Sequence, residues 1–114
     1  MVHIRVLLLD NFLVIWMLRL GIDIGGTKLE AALIGTDGLV MARKRILTEA
    51  NLGCEHIIKR VGKLAKEVLG ESSIYKVGVG LPGSLSPKTG LLRNSNTVCL
   101  NGQPLKDLIE NELN

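Results

Sequence analysis

The sequence predicts an α/β domain built on one mixed sheet, and three observations carry that prediction. Three strand-like runs, Leu18–Ile24, Lys28–Ile34 and Leu39–Leu47, are joined by connections of only a few residues. Connections that short can join only antiparallel neighbours, so the runs form a meander. An apolar stripe then recurs at steps of three and four, through Cys54, Ile57, Ile58, Val61, Leu64, Ala65, Val68 and Leu69, which marks an amphipathic helix. A fourth apolar run, Ile74–Leu81, follows it. A helix of that length carries the chain back along the sheet, so the fourth strand is expected parallel to the first, with the helix as crossover on one face.

Composition bounds what such a domain does. At 114 residues the chain is one small domain. Its 46% apolar and 22% charged residues are those of a folded chain. Phe12, Trp16 and Tyr75 are the only aromatics, so the core has to be Leu, Ile and Val. The net charge of +3 comes without a basic block or aromatic interleaving, so nucleic acid is not an expected partner. Lys59, Arg60, Lys63 and Lys66 read as the solvated face of the helix. Cys54 and Cys99 have no metal-type spacing and read as reduced thiols of a cytoplasmic protein, with a disulfide as the alternative.

Taken in order, Val6–Leu9 and Phe12–Leu18 are apolar, broken by Asp10-Asn11 and too short to span a bilayer, so no membrane is expected. No small-residue cleavage site precedes Arg19, which argues against a secretory signal. Residues 1–16 are read as an extension ahead of a natural start at Met17, and the domain as residues 17–114.

The first strand carries the stretch around which the chain is arranged, Gly21-Ile22-Asp23-Ile24-Gly25-Gly26-Thr27-Lys28. Gly25-Gly26 between two strands reads as a tight hairpin whose backbone angles only glycine reaches cheaply. Glycines leave main-chain N–H groups bare, and clustered bare N–H groups bind anions. Thr27 adds a hydroxyl, Lys28 a positive charge, and Asp23 a carboxylate for a metal on that anion. The spacing from Gly21 to Gly26 is that of a Walker A loop, but Thr27-Lys28 reverses the required order and a strand follows instead of a helix. No G-x-G-x-x-G is present. Locally, a phosphate cradle and an ordinary hairpin turn both remain open.

Gly35–Gly38 is a turn, Thr48–Gly53 a loop, and Gly70 stops the helix. His56 falls off the apolar stripe and reads as a solvated helix residue. In the fourth strand Gly78 and Gly80 allow close backbone approach. Pro82–Gly90 leaves the carboxyl end of that strand, the edge where ligands collect in α/β sheets. Asn94-Ser95-Asn96-Thr97 offers amides and hydroxyls that both donate and accept, which suits a polyol; a loop of Asx turns is the other reading. Pro104–Leu113 is a final helix.

Two stretches in this order, Gly21–Lys28 and Val77-Gly78-Val79-Gly80-Leu81-Pro82-Gly83-Ser84, resemble the ROK family (repressors, open reading frames and kinases). The stretch Gly90–Leu105, with Asn94-Ser95-Asn96-Thr97 inside it, looks most like the family's bacterial fructokinase/mannokinase branch. The resemblance covers about residues 17–114. It implies an actin-like, ribonuclease-H-like ATPase fold of two domains, ATP and Mg²⁺ in the cleft, and transfer of the γ-phosphoryl group to a hexose hydroxyl. By the same resemblance the residues matching Gly21, Ile22, Asp23, Ile24, Gly25, Gly26, Thr27 and Lys28 bind ATP phosphates. Asp23 places Mg²⁺ through water, and Gly83, Ser84 and Asn96 border the sugar. The full-length form is implied to be a homodimer.

The departures are equally specific. The family's catalytic aspartate lies in an Asn-Asp-Ala-Asn stretch on the next strand, and no such stretch occurs in residues 1–114. The second phosphate loop, the His/Cys zinc motif of many members and the second domain are missing too, so zinc has no ligands here. Asp10, Asp37 and Asp107 match none of these positions. The expectation is an incomplete amino-terminal ATPase domain, with no catalytic residue of its own and no sugar phosphorylation unaided. Fructose, mannose or glucose is the expected hexose, with N-acetylhexosamines next. A sugar-responsive repressor would need a helix-turn-helix domain that about twenty leading residues cannot hold. A stand-alone binding module is the remaining class.

Overall fold

The computed structural model describes residues 5–9, 12–16, 18–72 and 75–114, with backbone alone for 5–9, 12–16 and 75. Asp10, Asn11, Met17 and Ile74, where the sequence places a break, a start and the beginning of a strand, lie outside the described residues. Residues 1–16 were assigned no element. Instead β1 (Arg5–Leu9) and β2 (Phe12–Trp16) pair antiparallel as a separate two-stranded sheet, Leu9 opposite Phe12.

The main sheet follows from the meander and the crossover. β3 (Leu18–Ile24), β4 (Lys28–Ile34) and β5 (Val40–Leu47) run antiparallel to one another in sequence. Helix α1 (Cys54–Leu69) leads to β6 (Tyr75–Gly80), which lies parallel to β3 with Asp23 opposite Gly80. The order across the sheet is β5-β4-β3-β6. β5 begins one residue later than the pattern suggests because Leu39 closes the preceding turn. Its N–H donates to Asp37 Oδ1 at 3.0 Å and its carbonyl accepts from Gly35 N–H at 2.9 Å.

Strand alternation puts Leu20, Ile22 and Ile24 of β3 and Leu29, Ala31 and Leu33 of β4 on the buried face. They pack with Ile57, Val61, Leu64, Ala65 and Val68 of α1 and with Leu105 and Ile109 of α2 (Leu105–Leu113). Leu, Ile, Val and Ala make up this core, as the shortage of aromatics requires. At the end of α1, Gly70 takes φ 57° and donates its N–H to Lys66 O at 3.0 Å, a conformation strained for any residue with a Cβ. The other sheet face carries Gly21, Asp23, Glu30 and Ala32, all partly or fully exposed.

The connections are more ordered than the sequence suggests. The loop after β5 contains a 3₁₀ turn, Ala50–Leu52. The long loop after β6 folds on itself through β7 (Ser84–Leu85) and β8 (Leu92–Arg93). Lys59, Lys63 and Lys66 are exposed as expected, but Arg60 is not a free surface cation. Its Nε donates to Leu47 O at 2.9 Å and its Nη1 lies 3.0 Å from Glu49 Oε1, tying α1 to the end of β5. His56 Nε2 is also 3.0 Å from Glu49 Oε1. Cys54 and Cys99 are free and half-buried; burial pushes the Cys54 thiol up, and Cys99 nearby adds to it. Among the described residues no helix is long and apolar enough to cross a membrane.

Two outcomes follow. Ile57 is 0% exposed, so Ile57→Ala should cost about 2–5 kcal/mol in urea unfolding, whereas Leu39→Ser on the surface should stay within about 0.5 kcal/mol. Equal effects would contradict the assigned core. The hydrogen bond to His56 holds the Glu49 carboxyl below its ordinary range against the smaller opposing effect of burial, and the charge of Arg60 adds a lesser lowering. A carboxyl depressed on folding stabilises above its unfolded value, and that contribution disappears as pH falls through the folded value. The stability gap between the natural chain and Glu49→Gln should therefore close between about pH 5 and about pH 3. A gap constant across that window rules the network out.

Candidate functional site

β3, β5 and β6 point the same way, so the segments that follow Ile24, Leu47 and Gly80 leave one edge of the sheet. In α/β sheets this carboxyl edge is where ligand crevices form. The first segment is the bend Gly25-Gly26-Thr27 between β3 and β4. Gly25 N–H donates to Lys28 O at 2.9 Å. From the end of β5, fully buried Thr48 donates its hydroxyl to Gly25 O at 2.7 Å and its N–H to Thr27 O at 2.8 Å. In a planar trans peptide the C=O and the following N–H point in opposite directions. Holding Gly25 O toward Thr48 therefore turns the Gly26 N–H away from it. Among the described residues no hydrogen bond engages the N–H of Gly26 or Thr27. Gly26, Thr27 and Lys28 are exposed. The arrangement can take an anion: neighbouring unbonded amides, a hydroxyl and a cation with no ion-pair partner among the described residues.

The reason for the two glycines differs from the expected one. Neither Gly25 nor Gly26 takes a positive φ, so the bend does not rest on left-handed backbone. Space decides it. A Cβ on Gly25 would lie 2.7 Å from Lys28 O, and one on Gly26 would lie 3.2 Å from Thr97 Oγ1.

Asp23 sits just before the bend on the exposed sheet face, opposite Glu30. Glu30 is neutralised by Arg43 at 3.3 Å and Arg45 at 3.0 Å, while Asp23 has no ion-pair partner among the described residues. Its Oδ1 would lie 3.3 Å from a Cβ on Gly80, so that glycine leaves room for the carboxylate, whereas Gly78 faces open space. A shallow cavity of about 460 Å³ lies here, lined among others by Gly21, Asp23, Glu30, Ala32, Gly78 and Gly80. Among the described residues no three His, Cys, Asp or Glu groups converge on a metal position. The donor set fits a hard cation held by one carboxylate plus oxygens of a bound phosphate and water.

The second loop is a built structure. A Cβ on Gly83 would lie 2.5 Å from Arg93 O and 3.3 Å from Ser95 N, so the segment with Gly83 and Ser84 lies against the segment entering Asn94–Thr97. Ser95 N–H donates to Asn101 Oδ1 at 3.0 Å, Asn101 Nδ2 donates to Ser95 O at 2.9 Å, and Thr97 N–H donates to Ser95 Oγ at 3.0 Å. Ser95 and Asn101 thus shape the loop, through a serine turn and a cross-loop amide pair instead of Asx turns of Asn94 or Asn96. Gly83, Ser84 and Asn96 remain exposed at its surface. The two loops meet where Thr97 faces Gly26. Neither Thr48 nor Thr97 was singled out in the sequence: a threonine at a strand end, or within a polar run, carries no local signal of what it touches.

The ROK family model matches residues 19–114. The chain is 35% identical over 77 residues to a glucokinase of Thermotoga maritima, covering 67% of this chain and 24% of that protein. It is 32% identical over 93 residues to an N-acetylmannosamine kinase of Escherichia fergusonii, covering 82% of this chain and 29% of that protein. It therefore spans under a third of these relatives. A ROK family glucokinase from Streptomyces griseus, solved in complex with glucose and AMPPNP, superposes with a TM-score of 0.70 at 22% identity, over 86% of this chain and 30% of that one. The shared fold is the actin-like ATPase fold of ROK sugar kinases.

Thr48 gives this geometry a direct check. Thr48→Val keeps the shape and removes the hydroxyl that holds Gly25 O, which should cost about 1–3 kcal/mol in urea unfolding. Thr48→Ser should recover most of that loss. Equal losses in both variants would mean that packing, not the bond, matters at this position.

Proposed function

The chain belongs to the ROK family, and we propose that its two edge loops are the nucleotide-phosphate side and the sugar side of an ATP-dependent hexose kinase cleft. One observation carries this reading: a bend held by Thr48 leaves the Gly26 and Thr27 amides unbonded among the described residues and beside Lys28, on the edge where the amide-rich loop also lies. Residues Gly21–Ile24 carry the bend, and Gly25–Lys28 hold the ATP phosphates. Asp23, exposed and without an ion-pair partner among the described residues, holds Mg²⁺ through water. When bound, the ion offsets charge on the phosphoryl oxygens. Gly83, Ser84 and Asn96 border the sugar.

Transfer of a γ-phosphoryl group to a hydroxyl needs in-line placement and a group to accept the hydroxyl proton. With Asp23 assigned to the ion, neither of the other described aspartates is assigned that role. Asp37 caps the turn at the opposite end of the sheet, and Asp107 is exposed on α2. We assign these 114 residues binding without turnover, because the family's Asn-Asp-Ala-Asn stretch does not occur among them. Fructose, mannose or glucose is the substrate favoured by the polyol-suited loop. The 32% identity to an N-acetylmannosamine kinase supports an N-acetylhexosamine as the second reading.

Calorimetric titration of the 114-residue chain tests the assignment. ATP should bind more tightly with Mg²⁺ than without. Asp23→Ala should remove that difference while leaving Mg²⁺-free binding within about twofold, as expected where one carboxylate serves the ion alone. Asn96→Ala should weaken hexose binding about tenfold and leave ATP unchanged. Absence of ATP binding, or a Mg²⁺ effect that survives Asp23→Ala, contradicts the reading.

A further inference from the structure

We propose that the Thr97 hydroxyl is a further donor to the anion held by the diglycine bend, so that the sugar-side loop itself helps to grip the nucleotide phosphate. The proposal rests on the reading of Gly25–Lys28 as a phosphate grip and adds to it a residue from the other loop. Thr97 is 7% exposed, yet no hydrogen bond engages its hydroxyl among the described residues. Buried polar groups in native proteins nearly always have a partner. No side-chain polar atom among the described residues is both sealed from solvent and unbonded. The Thr97 oxygen is therefore reachable by a ligand or by water.

Its place is given by Gly26, where a Cβ would come within 3.2 Å of Thr97 Oγ1. The hydroxyl thus lies beside the residue whose N–H is turned away from Thr48, and the glycine there lets the two loops approach this closely. Thr97 is also held in place. Its N–H donates to Ser95 Oγ at 3.0 Å, its carbonyl accepts from Leu100 N–H at 3.0 Å, and Ser95 is itself 6% exposed. A hydroxyl held by its backbone bonds, unbonded among the described residues and beside Gly26, is suited to a phosphate oxygen, which accepts only. Asn96, its neighbour, is exposed and is the residue assigned to the sugar. A sugar that reorders residues 94–97 therefore also moves a phosphate donor, and by linkage each ligand should tighten the other.

Tripolyphosphate is the probe, titrated calorimetrically into the 114-residue chain and two variants. Thr97→Val, of nearly the same shape, should weaken binding about tenfold or more, the loss of one hydrogen bond to a charged group. Thr97→Ser, which keeps the hydroxyl, should stay within about threefold of the natural chain. Natural affinity in Thr97→Val overturns the Thr97 role alone, and equal weakening in both variants also overturns it by marking a packing effect. If the natural chain does not bind tripolyphosphate, the phosphate reading of the bend falls, and this inference with it. Should Thr97→Val fail to fold by circular dichroism, the natural chain still decides: the Thr97 ¹³Cβ resonance should shift on saturation with tripolyphosphate. Shifts confined to residues 25–28 overturn the proposal.

Discussion

Thr48 donates its hydroxyl to one carbonyl of the diglycine bend and its N–H to another, and the orientation of the edge loops depends on these two bonds. Without them the bend would be free to turn its peptide planes, and a carbonyl facing outward would repel the anion that an N–H attracts. With them, the unbonded amides of Gly26 and Thr27 lie beside the hydroxyl and the cation that follow. Thr48 can do this because β5 ends level with the start of β4, Leu47 opposite Lys28. Arg60 and Glu49 then fasten that strand end to α1. The site is prepared by the scaffold beneath it, which limits the ordering a ligand would have to impose.

Sheet topology explains why two loops far apart in sequence are neighbours. The parallel pairing of β3 and β6 brings Asp23 level with Gly80, so the diglycine bend and the Gly83 loop leave the same edge. Glycines act there as spacers. Gly80 leaves room for the Asp23 carboxylate, Gly83 lets its loop lie against Arg93 and Ser95, and Gly26 admits Thr97.

Much of the scaffold was legible in the sequence because it is governed by local periodicity. Short connections forced the meander, the three-and-four stripe predicted α1 with its stop at Gly70, and the crossover length implied the parallel strand. What could not be read were relations fixed only by tertiary contact. Gly25 and Gly26 looked like glycines needed for left-handed backbone, but they serve to let Lys28 O and Thr97 approach. Arg60 shared the spacing of the solvated lysines, yet a carbonyl and a carboxylate happen to lie within its reach. The pairing of β1 with β2 was masked by reading both apolar runs as an extension. Thr48 was read only as the start of a loop and Thr97 only as part of a polar run, since Gly25 and Gly26, which they meet, are distant in sequence.

Amide hydrogen exchange at residues 25–27, with and without saturating ATP, bears most directly on the central claim that the bend presents bare donors to a phosphate. Gly25, bonded to Lys28 O, should exchange slowly in both conditions. Gly26 and Thr27 should exchange fast in the free chain and slow when ATP is added. Slow exchange at both amides before ATP, or fast exchange that ATP leaves untouched, would contradict the account.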